Sequence, residues 1–301
     1  MCGKCIEVCP FTRRRDYGFN QQITGLEAED EIFFKYNIMN EGVVVMFEKK
    51  QFPILEFDSC RSAYIEPSNL IKPIDIPKCC VISFFRDIIE LKNNNGELKH
   101  IVNIHSETLD IPVYETMYNG KRVALVLGFL GSAGSAALLE ELIAFGCRKF
   151  IVCGGAGVLQ KDITVGHLII PTSAVRDEGV SYHYIEPSRE IECNQAIVEV
   201  IEREFKKDGI KYLKAKTWTT DAFYRETKEK VLLRISEGCV TVEMEAAAFF
   251  AVAKFRNVAL GQILYGGDDL SGEEWDGREW NTREDIRENL VELSIKICTE
   301  L

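Results

Sequence analysis

Residues 122–155 read RVALVLGFLGSAGSAALLEELIAFGCRKFIVCGG and contain a strand, a helix and a second strand in succession. The apolar run RVALVLGF is typical of a buried strand. GSAALLEELIAFG is typical of a helix, and Gly146 is expected to close it, because glycine readily adopts the positive φ found after a helix end. KFIVCGG again has the composition of a strand. Together they predict a strand–helix–strand unit of an α/β fold.

The alternation continues on both sides of this segment. Before it, Asn119-Gly120 lies between two apolar runs and predicts a hairpin, because both residues tolerate positive φ. At the end of the chain, apolar residues at spacings of three and four predict an amphipathic helix over 286–297. We therefore predict a three-layer α/β/α sandwich with a mixed, largely parallel central sheet. Further strands are predicted at 43–47, 52–58, 81–85, 149–155, 167–175 and 258–267, and further helices at 87–92, 193–209 and 240–257.

The composition limits the classes of partner. The chain has 301 residues, 46% of them apolar and 28% charged, with a formal net charge of −11. An acidic surface repels phosphate groups, so neither nucleic acid nor an anionic membrane is an expected partner. We find no signal peptide and no apolar run long enough to span a membrane. The 11 cysteines in a chain without an export signal favour reduced thiols and a cytoplasmic protein.

The first residues differ from the rest. Cys2, Cys5, Cys9 and Pro10 match the last three cysteines and the proline of a ferredoxin-type cluster loop, C-x₂-C-x₂-C-x₃-C-P. The first cysteine of that pattern falls before Met1, and three thiolates hold a cluster poorly. We therefore expect no bound metal or cluster, and we interpret residues 1–30 as a disordered leader or a truncated ferredoxin-like remnant. Residues 31–301 form the predicted globular domain.

Two acidic stretches carry the most informative chemistry. Glu243 and Glu245 are predicted to lie in the first turn of the apolar helix over 240–257. They are either a solvated N-terminal cap or carboxylates directed at the paired hydroxyls of a ribose, which one carboxylate can bind together. Asp268 and Asp269 follow a predicted buried strand, at the kind of strand end where ligands collect in α/β sheets. Either one of the two donates a proton beside its acidic neighbour, or the pair forms an ordinary acidic turn.

Two glycine-rich segments are predicted to form turns after strands. Backbone amides of Gly131–Ser132 and of Gly154–Gly155 are candidates for binding an anion, especially where a helix begins. The alternative is that these glycines serve close packing. The GSAGS segment lacks the Gly-Lys-Ser/Thr ending of a nucleotide P-loop.

In this order, the segments resemble the nucleoside phosphorylase family, the purine nucleoside and uridine phosphorylases, over residues 40–301. The resemblance is carried by GFLGSAGSAALLEELIAFGCRKFIVCGGAGVL, TSAVRDEGVSYHY, TTDAFY, VEMEAAAFFAVA and YGGDD. It implies a homo-oligomer, dimeric or hexameric, that cleaves a nucleoside with inorganic phosphate to a free base and ribose 1-phosphate, as in purine salvage. Phosphate would be a co-substrate, and no cofactor is implied.

The resemblance also implies roles for single residues. Glu245 would hold the 2′- and 3′-hydroxyls, with Met244 packed on the sugar and Glu243 beside them. Phe223 would cover the base, and Asp268 would protonate a purine as it leaves. The implied phosphate ligands are Arg86 and the backbone amides of Gly131, Ser132, Gly154 and Gly155.

The sequence departs from the family pattern at the phosphate site. Val152 replaces an arginine, Gly155 a serine or threonine, and Ile82 a glycine, while Phe129 and Gly134 stand at usual glycine and serine positions. A nucleosidase that uses water, or a nucleoside-binding module without catalysis, therefore remains open. Phe84, Phe85 and Arg86 stand where nucleosidases carry the acidic residue that activates water, which argues against hydrolysis. Thr227 and Glu229 stand where uridine phosphorylases carry a glutamine and an arginine, so a purine is favoured over uridine. The segment with Trp275, Arg278 and Trp280 is either a lid over the base or a surface loop.

Overall fold

The computed structural model describes residues 48–301, in which ten strands form one sheet flanked by helices. The strands are β1 Cys79–Ser83, β2 Lys99–His105, β3 Asp110–Tyr118, β4 Lys121–Leu127, β5 Lys149–Val158, β6 Leu168–Asp177, β7 Glu190–Glu192, β8 Tyr212–Thr220, β9 Cys239–Glu243 and β10 Ala259–Asp269. The helices are α1 Pro67–Leu70, α2 Arg86–Asn94, α3 Ser132–Phe145, α4 Gln195–Lys207, α5 Lys228–Ser236, α6 Ala246–Arg256 and α7 Glu284–Cys298. The predicted leader, its three cysteines and the strand predicted at 43–47 lie outside the described residues.

The sheet is mixed, as predicted. The neighbours β4–β1–β5–β10 are parallel, and so are β6–β8–β9. Antiparallel pairs join the two groups, through β10 with β6 and through β9 with β5. Because β5 pairs with both β9 and β10, the strands β5, β10, β6, β8 and β9 close into a ring. The loops that follow β8, β9 and β10 therefore start from one closed group of strands.

Helices cover both faces of the sheet. The Cys298 thiol at the end of α7 donates to the carbonyl oxygens of Cys80 and Lys149 at 3.5 Å, which places α7 over the beginnings of β1 and β5. Residues 246–253 of α6 are buried, and the helix packs against α3 and against β10. This part of the helix is apolar on every side, as expected of a buried helix. The predicted α/β fold class is confirmed.

Most predicted elements are present. The hairpin turn has Asn119 at φ 47° and Gly120 at φ 77°, and α3 ends at Gly146 with φ 132°. The strand predicted at 52–58 is wrong, because that segment holds only a short 3₁₀ turn at Pro53–Leu55 and exposed chain. The glycine turn predicted at 154–155 is also wrong. Here β5 continues to Val158, and Gly154 and Gly155 pair with Leu264 and Tyr265 of β10.

No helix within residues 48–301 is both long enough and apolar enough to cross a membrane.

Candidate active site

The site is centred on the junction between β9 and α6. The prediction that Glu243 and Glu245 lie in the first turn of a helix is wrong. Residues 239–243 are extended because they pair with β8, where Glu243 lies opposite Thr219. Glu243 is therefore the last residue of β9, and Glu245 is the residue immediately before α6. This kink places two carboxylates at the positive end of a buried helix, where negative charge is favoured.

Glu243 is held entirely by the protein. One carboxylate oxygen accepts the Thr219 hydroxyl at 2.6 Å, and the other accepts the backbone N–H groups of Glu245 and Ala246 at 2.8 and 2.6 Å. The Gln262 side chain adds a further hydrogen bond. Burial raises the pKa of this carboxyl, while those hydrogen bonds oppose the increase. Because its acceptor positions are occupied, Glu243 supports the junction rather than contacting a ligand directly.

Glu245 differs from its neighbour, because it retains acceptor positions. Its side chain accepts the backbone N–H of Gly131 at 2.7 Å, and only 5% of the residue is exposed. A carboxylate has about four lone-pair positions, so capacity for a diol remains. Burial, and next the charge of Glu243, raise the pKa of this carboxyl. The neighbouring negative groups would stabilise a positive charge that develops close to them.

The first glycine turn is fastened to the carboxylate junction. Besides the bond from Gly131, the hydroxyl of Ser132 donates to the carbonyl of Met244 at 2.7 Å, and Ser132 is buried. The Gly131 amide, one of the predicted anion-binding groups, is thus bonded to the predicted sugar-binding segment, whereas Ser132 is joined to that segment through its hydroxyl rather than its amide. The turn after β4 and the β9–α6 junction therefore form one rigid unit, and the predicted residues Gly131, Ser132, Met244 and Glu245 are brought together.

Asp268 and Asp269, the last residues of β10, have separate environments. The indole N–H of Trp275 donates to Asp268 Oδ2 at 2.7 Å. Asp269 accepts the backbone N–H of Ser271 at 2.8 Å and forms an ion pair with Arg278, and these contacts lower its pKa although burial opposes them. Asp269 is thus a structural group, whereas Asp268 is available to a ligand at the end of the strand.

The predicted base cover follows β8. Phe223 begins a 3₁₀ turn, is 44% exposed, and its ring lies 4.0 Å from that of Tyr224 between centroids. The turn is closed by the backbone N–H of Glu226, which donates to the carbonyl of Phe223 at 3.2 Å. An exposed aromatic ring on a short turn is a suitable surface for stacking on a base.

The predicted phosphate region is lined mainly by rings and glycines. A β-carbon placed on Gly128 or Gly154 would meet the Phe84 ring, at 2.8 and 3.3 Å. One on Gly155 would meet Tyr265 at 3.3 Å and Trp280 at 3.4 Å. Arg86 lies nearby as the first residue of α2, exposed, and within residues 48–301 its guanidinium makes no hydrogen bond or ion pair. Gly154 and Gly155 lie inside β5 rather than in a turn. Their role in binding an anion stays a prediction.

Two departures from the family pattern compensate for each other. A β-carbon on Gly134 would lie 2.6 Å from the ring of Phe129, far closer than such contacts occur. Phe129 therefore requires a glycine at position 134, since the ring fills the space of any larger residue. This pairing explains why both positions depart together.

Several contributors were missed in the sequence. Thr219 stands in the TTDAFY segment, but its bond to Glu243 depends on the pairing of β8 with β9, which no pattern predicted. Gln262 lies in a predicted strand, where an isolated polar residue between apolar neighbours was the available signal. The contact between Trp275 and Asp268 had no local signal, because it depends on how the following segment folds back.

These features define an α/β protein with an acidic site at the β9–α6 junction, where two buried glutamates and a glycine turn meet. A family model described as the phosphorylase superfamily matches residues 86–301, and the chain belongs to that superfamily. The similarity inferred from the motifs is thereby confirmed.

Individual relatives agree with this family. The chain is 27% identical to a guanosine phosphorylase of Halorubrum lacusprofundi, across 52% of this chain and 66% of that protein. It is 33% identical to a uridine phosphorylase of Thermococcus kodakarensis, across 36% of this chain and 39% of that protein. Each matched segment thus spans less than two thirds of the relative's length.

Solved structures share the fold. A purine nucleoside phosphorylase of Toxoplasma gondii, in complex with immucillin-H, superposes with a TM-score of 0.65 at 18% identity, across 79% of this chain and 97% of that one. A 5′-methylthioadenosine/S-adenosylhomocysteine nucleosidase of Helicobacter pylori superposes with a TM-score of 0.62 at 19% identity, across 76% of this chain and 100% of that one. At these identities the likeness concerns the fold alone, and it includes both phosphorylases and nucleosidases.

Proposed function

We propose that this protein cleaves the N-glycosidic bond of a nucleoside, with a purine favoured as the base. In the preferred form of the reaction inorganic phosphate attacks C1′, and the products are the free base and ribose 1-phosphate. The protein would then be a pentosyltransferase. The relatives named as guanosine and uridine phosphorylases support this class of reaction.

The observation that carries the proposal is the buried carboxylate of Glu245. It lies at the positive end of α6, is fixed by the amide of Gly131, and retains acceptor positions for a vicinal diol. As the glycosidic bond breaks, the sugar acquires the positive charge of an oxocarbenium ion. A carboxylate already oriented by the protein stabilises that charge without reorganisation.

The purine preference depends on an acidic group at the end of β10. A purine leaves as an anion unless a ring nitrogen is protonated, so a carboxyl group beside the base accelerates its departure. Asp268 lies at that end, and Phe223 lies on the turn after β8 as a stacking surface. Uridine phosphorolysis remains the alternative within this class.

Hydrolysis is the second candidate, and one observation favours it. Tyr265 and Trp280 lie against Gly155, where a phosphate-binding hydroxyl is absent, and Phe84 lies against the neighbouring Gly154. An anion loses its hydration among such rings, which is costly unless charged partners replace the water. Water has no such requirement. A nucleosidase would release free ribose instead of ribose 1-phosphate.

The decisive experiment is a nucleoside panel with and without phosphate. Inosine, guanosine, adenosine and uridine are incubated with the protein, and products are separated by chromatography and by phosphorus NMR. Phosphate-dependent formation of ribose 1-phosphate supports phosphorolysis. Free ribose at an undiminished rate without phosphate supports hydrolysis. No cleavage under either condition refutes both and supports a nucleoside-binding module. The cytoplasmic location, the homo-oligomer and the absence of a cofactor stay predictions.

A further inference from the structure

Two pairs of thiols lie on opposite faces of β1. The strand begins with Cys79 and Cys80, and neighbouring side chains of a strand point to opposite faces of its sheet. The Cys79 sulfur lies within hydrogen-bonding reach of the thiol of Cys298, the last residue of α7. On the other face, Cys80 stands in the same relation to Cys147, which lies just after α3. All four residues are free thiols in this structure.

The backbone brings Cys79 and Cys298 together. Cys79 lies opposite Lys149 in the parallel pairing of β1 with β5. The Cys298 sulfur lies 3.5 Å from the carbonyl oxygens of both Cys80 and Lys149, so it is seated over the same two strands. Because α7 packs against β1 and β5, its last residue is held beside the first residue of β1. A disulfide forms without backbone movement only where two cysteine side chains already face each other, and this pair does.

The two pairs differ in their access to solvent. Cys80 and Cys147 are fully buried, at 0% exposure. Cys79 is partly exposed, whereas Cys298 is buried behind it. A dissolved oxidant therefore reaches Cys79 first, and Cys298 is in place to react with the product. The pair of Cys80 and Cys147 has the same chemistry but is closed to solvent.

The surroundings of Cys79 favour its reactive form. The hydrogen bond from Cys298 lowers the pKa of the Cys79 thiol to about 7, against the effect of burial and with the help of the ammonium groups of Lys149 and Lys121. Burial raises the pKa of Cys298, so this residue keeps the proton that it donates. The thiolate is the nucleophilic form of cysteine. Access and chemistry therefore agree that Cys79 is the attacking thiol of the pair.

We propose that Cys79 is a site of reversible oxidation by a hydroperoxide, and that Cys298 converts the oxidised sulfur into a disulfide joining the start of β1 to the end of α7. The inference is independent of the proposed nucleoside cleavage, because it involves neither the carboxylates of the β9–α6 junction nor a nucleoside. If the protein is cytoplasmic, as predicted, the bond is transient, because that compartment reduces disulfides.

The oxidation proceeds in two steps. The Cys79 thiolate attacks one oxygen of the peroxide, the O–O bond breaks, and the sulfur becomes a sulfenic acid while the other oxygen leaves and takes up a proton. The Cys298 sulfur then attacks the Cys79 sulfur, the S–S bond forms, and the S–O bond breaks with loss of water. Two thiols and one molecule of hydrogen peroxide thus give one disulfide and two molecules of water. The sulfurs are oxidised, and the peroxide oxygens are reduced.

Tryptic peptides distinguish the possible disulfides. The relevant peptides are 79–86 (CCVISFFR) with Cys79 and Cys80, 123–148 with Cys147, and 297–301 (ICTEL) with Cys298. The 301-residue chain is treated with hydrogen peroxide at pH 7, its remaining thiols are blocked with N-ethylmaleimide, and the digest is analysed by mass spectrometry. We expect a cross-link of 79–86 with 297–301 that has lost two hydrogens and that disappears after treatment with dithiothreitol.

Single substitutions assign the sulfur atoms. Cys79→Ser and Cys298→Ser should each lose the cross-link. Cys80→Ser, the matched control at the next position of the same strand, should retain it. In Cys298→Ser the sulfenic acid of Cys79 has no thiol to react with, so dimedone should label peptide 79–86 more strongly than in the wild type. The wild-type digest keeps the test decisive if a variant fails to fold, since it identifies the joined peptides without any substitution.

Several outcomes would overturn the inference. One is the absence of a cross-link between 79–86 and 297–301 in the oxidised wild type. Others are a bond between Cys79 and Cys80 within one peptide, a bond from 79–86 to 123–148 in place of the expected one, and a cross-link found only in covalent dimers on a non-reducing gel. A cross-link that persists in Cys79→Ser would assign the bond to Cys80 and has the same consequence. The proposed nucleoside cleavage is assayed separately and does not depend on any of these results.

Discussion

Replacing Glu245 by glutamine should abolish most of the activity while making the protein more stable near neutral pH. The amide has nearly the same volume, and its oxygen can still accept the N–H of Gly131. The negative charge opposite the sugar is lost. Removing one oriented electrostatic contact costs about 2–4 kcal/mol at the transition state. That corresponds to a decrease in kcat/KM of roughly 30- to 1,000-fold.

The stability effect has the opposite sign. Burial and Glu243 raise the pKa of the Glu245 carboxyl in the folded protein above the ordinary glutamate value of about 4.3. Between these two pKa values the folded protein binds more protons than the unfolded chain, so the free energy of unfolding falls as pH rises. Each unit of upward shift costs about 1.4 kcal/mol once the pH exceeds the folded pKa. Glutamine has no such cost.

The assay combines kinetics with thermal unfolding of Glu245→Gln at pH 5 and pH 8. The difference in Tm between variant and wild type should grow toward pH 8. The control is Glu140→Gln, on α3, which also removes a buried carboxylate, but one that is bonded to Arg256 at 2.7 Å and not to the site residues. It should lose stability and keep its kcat/KM. Near-normal kcat/KM in Glu245→Gln, or a Tm difference that does not increase with pH, would refute the reasoning.

Three further perturbations probe other parts of the site. Gly134→Ser should destabilise the protein by about 1–3 kcal/mol in urea unfolding, because the new side chain overlaps the Phe129 ring, although serine normally favours a helix over glycine. The double variant with Phe129→Gly should recover stability relative to Gly134→Ser, and additive losses would contradict the clash. Arg86→Ala should raise the phosphate KM far more than the nucleoside KM if phosphate is the nucleophile, and equal changes would exclude a phosphate contact. Arg278→Ala removes the contacts of Arg278 with Asp269 and with the carbonyl of Ile163, so a protease should cut residues 270–280 faster than in the wild type; an unchanged rate would show that other contacts hold this segment.

Local patterns sufficed for much of the fold. The hairpin at Asn119-Gly120 was predictable because a two-residue turn with positive φ at both positions leaves few alternatives. The end of α3 at Gly146 was predictable for the same reason, since glycine tolerates φ 132°. Such signals lie within a few residues of the structure that they determine. The strand at 52–58 was predicted from the apolar composition alone, and no strand within residues 48–301 pairs with this segment.

The junction between β9 and α6 shows where local patterns fail. The composition of residues 240–257 is compatible with one continuous apolar helix. The chain instead stays extended to Glu243 because this segment pairs with β8. The Thr219 hydroxyl on β8 also donates a hydrogen bond to the Glu243 carboxylate. Those contacts come from a strand more than 20 residues earlier, so no window around Glu243 contains them. The role of Glu245 was implied by a family resemblance, but its geometry required the tertiary structure.

The acidic groups of this site have different tasks because their partners differ. Glu243 is saturated with hydrogen bonds and holds the junction, whereas the Glu245 side chain accepts the Gly131 N–H at 2.7 Å and retains acceptor capacity for a proposed sugar. At the end of β10, the Trp275 indole donates to Asp268, whereas Asp269 is paired with Arg278. The proposed phosphate side is different, because Gly155 offers no hydroxyl and lies beside the rings of Tyr265 and Trp280. In the proposed reaction, Glu245 therefore supplies charge to the sugar, and an anionic nucleophile depends on Arg86.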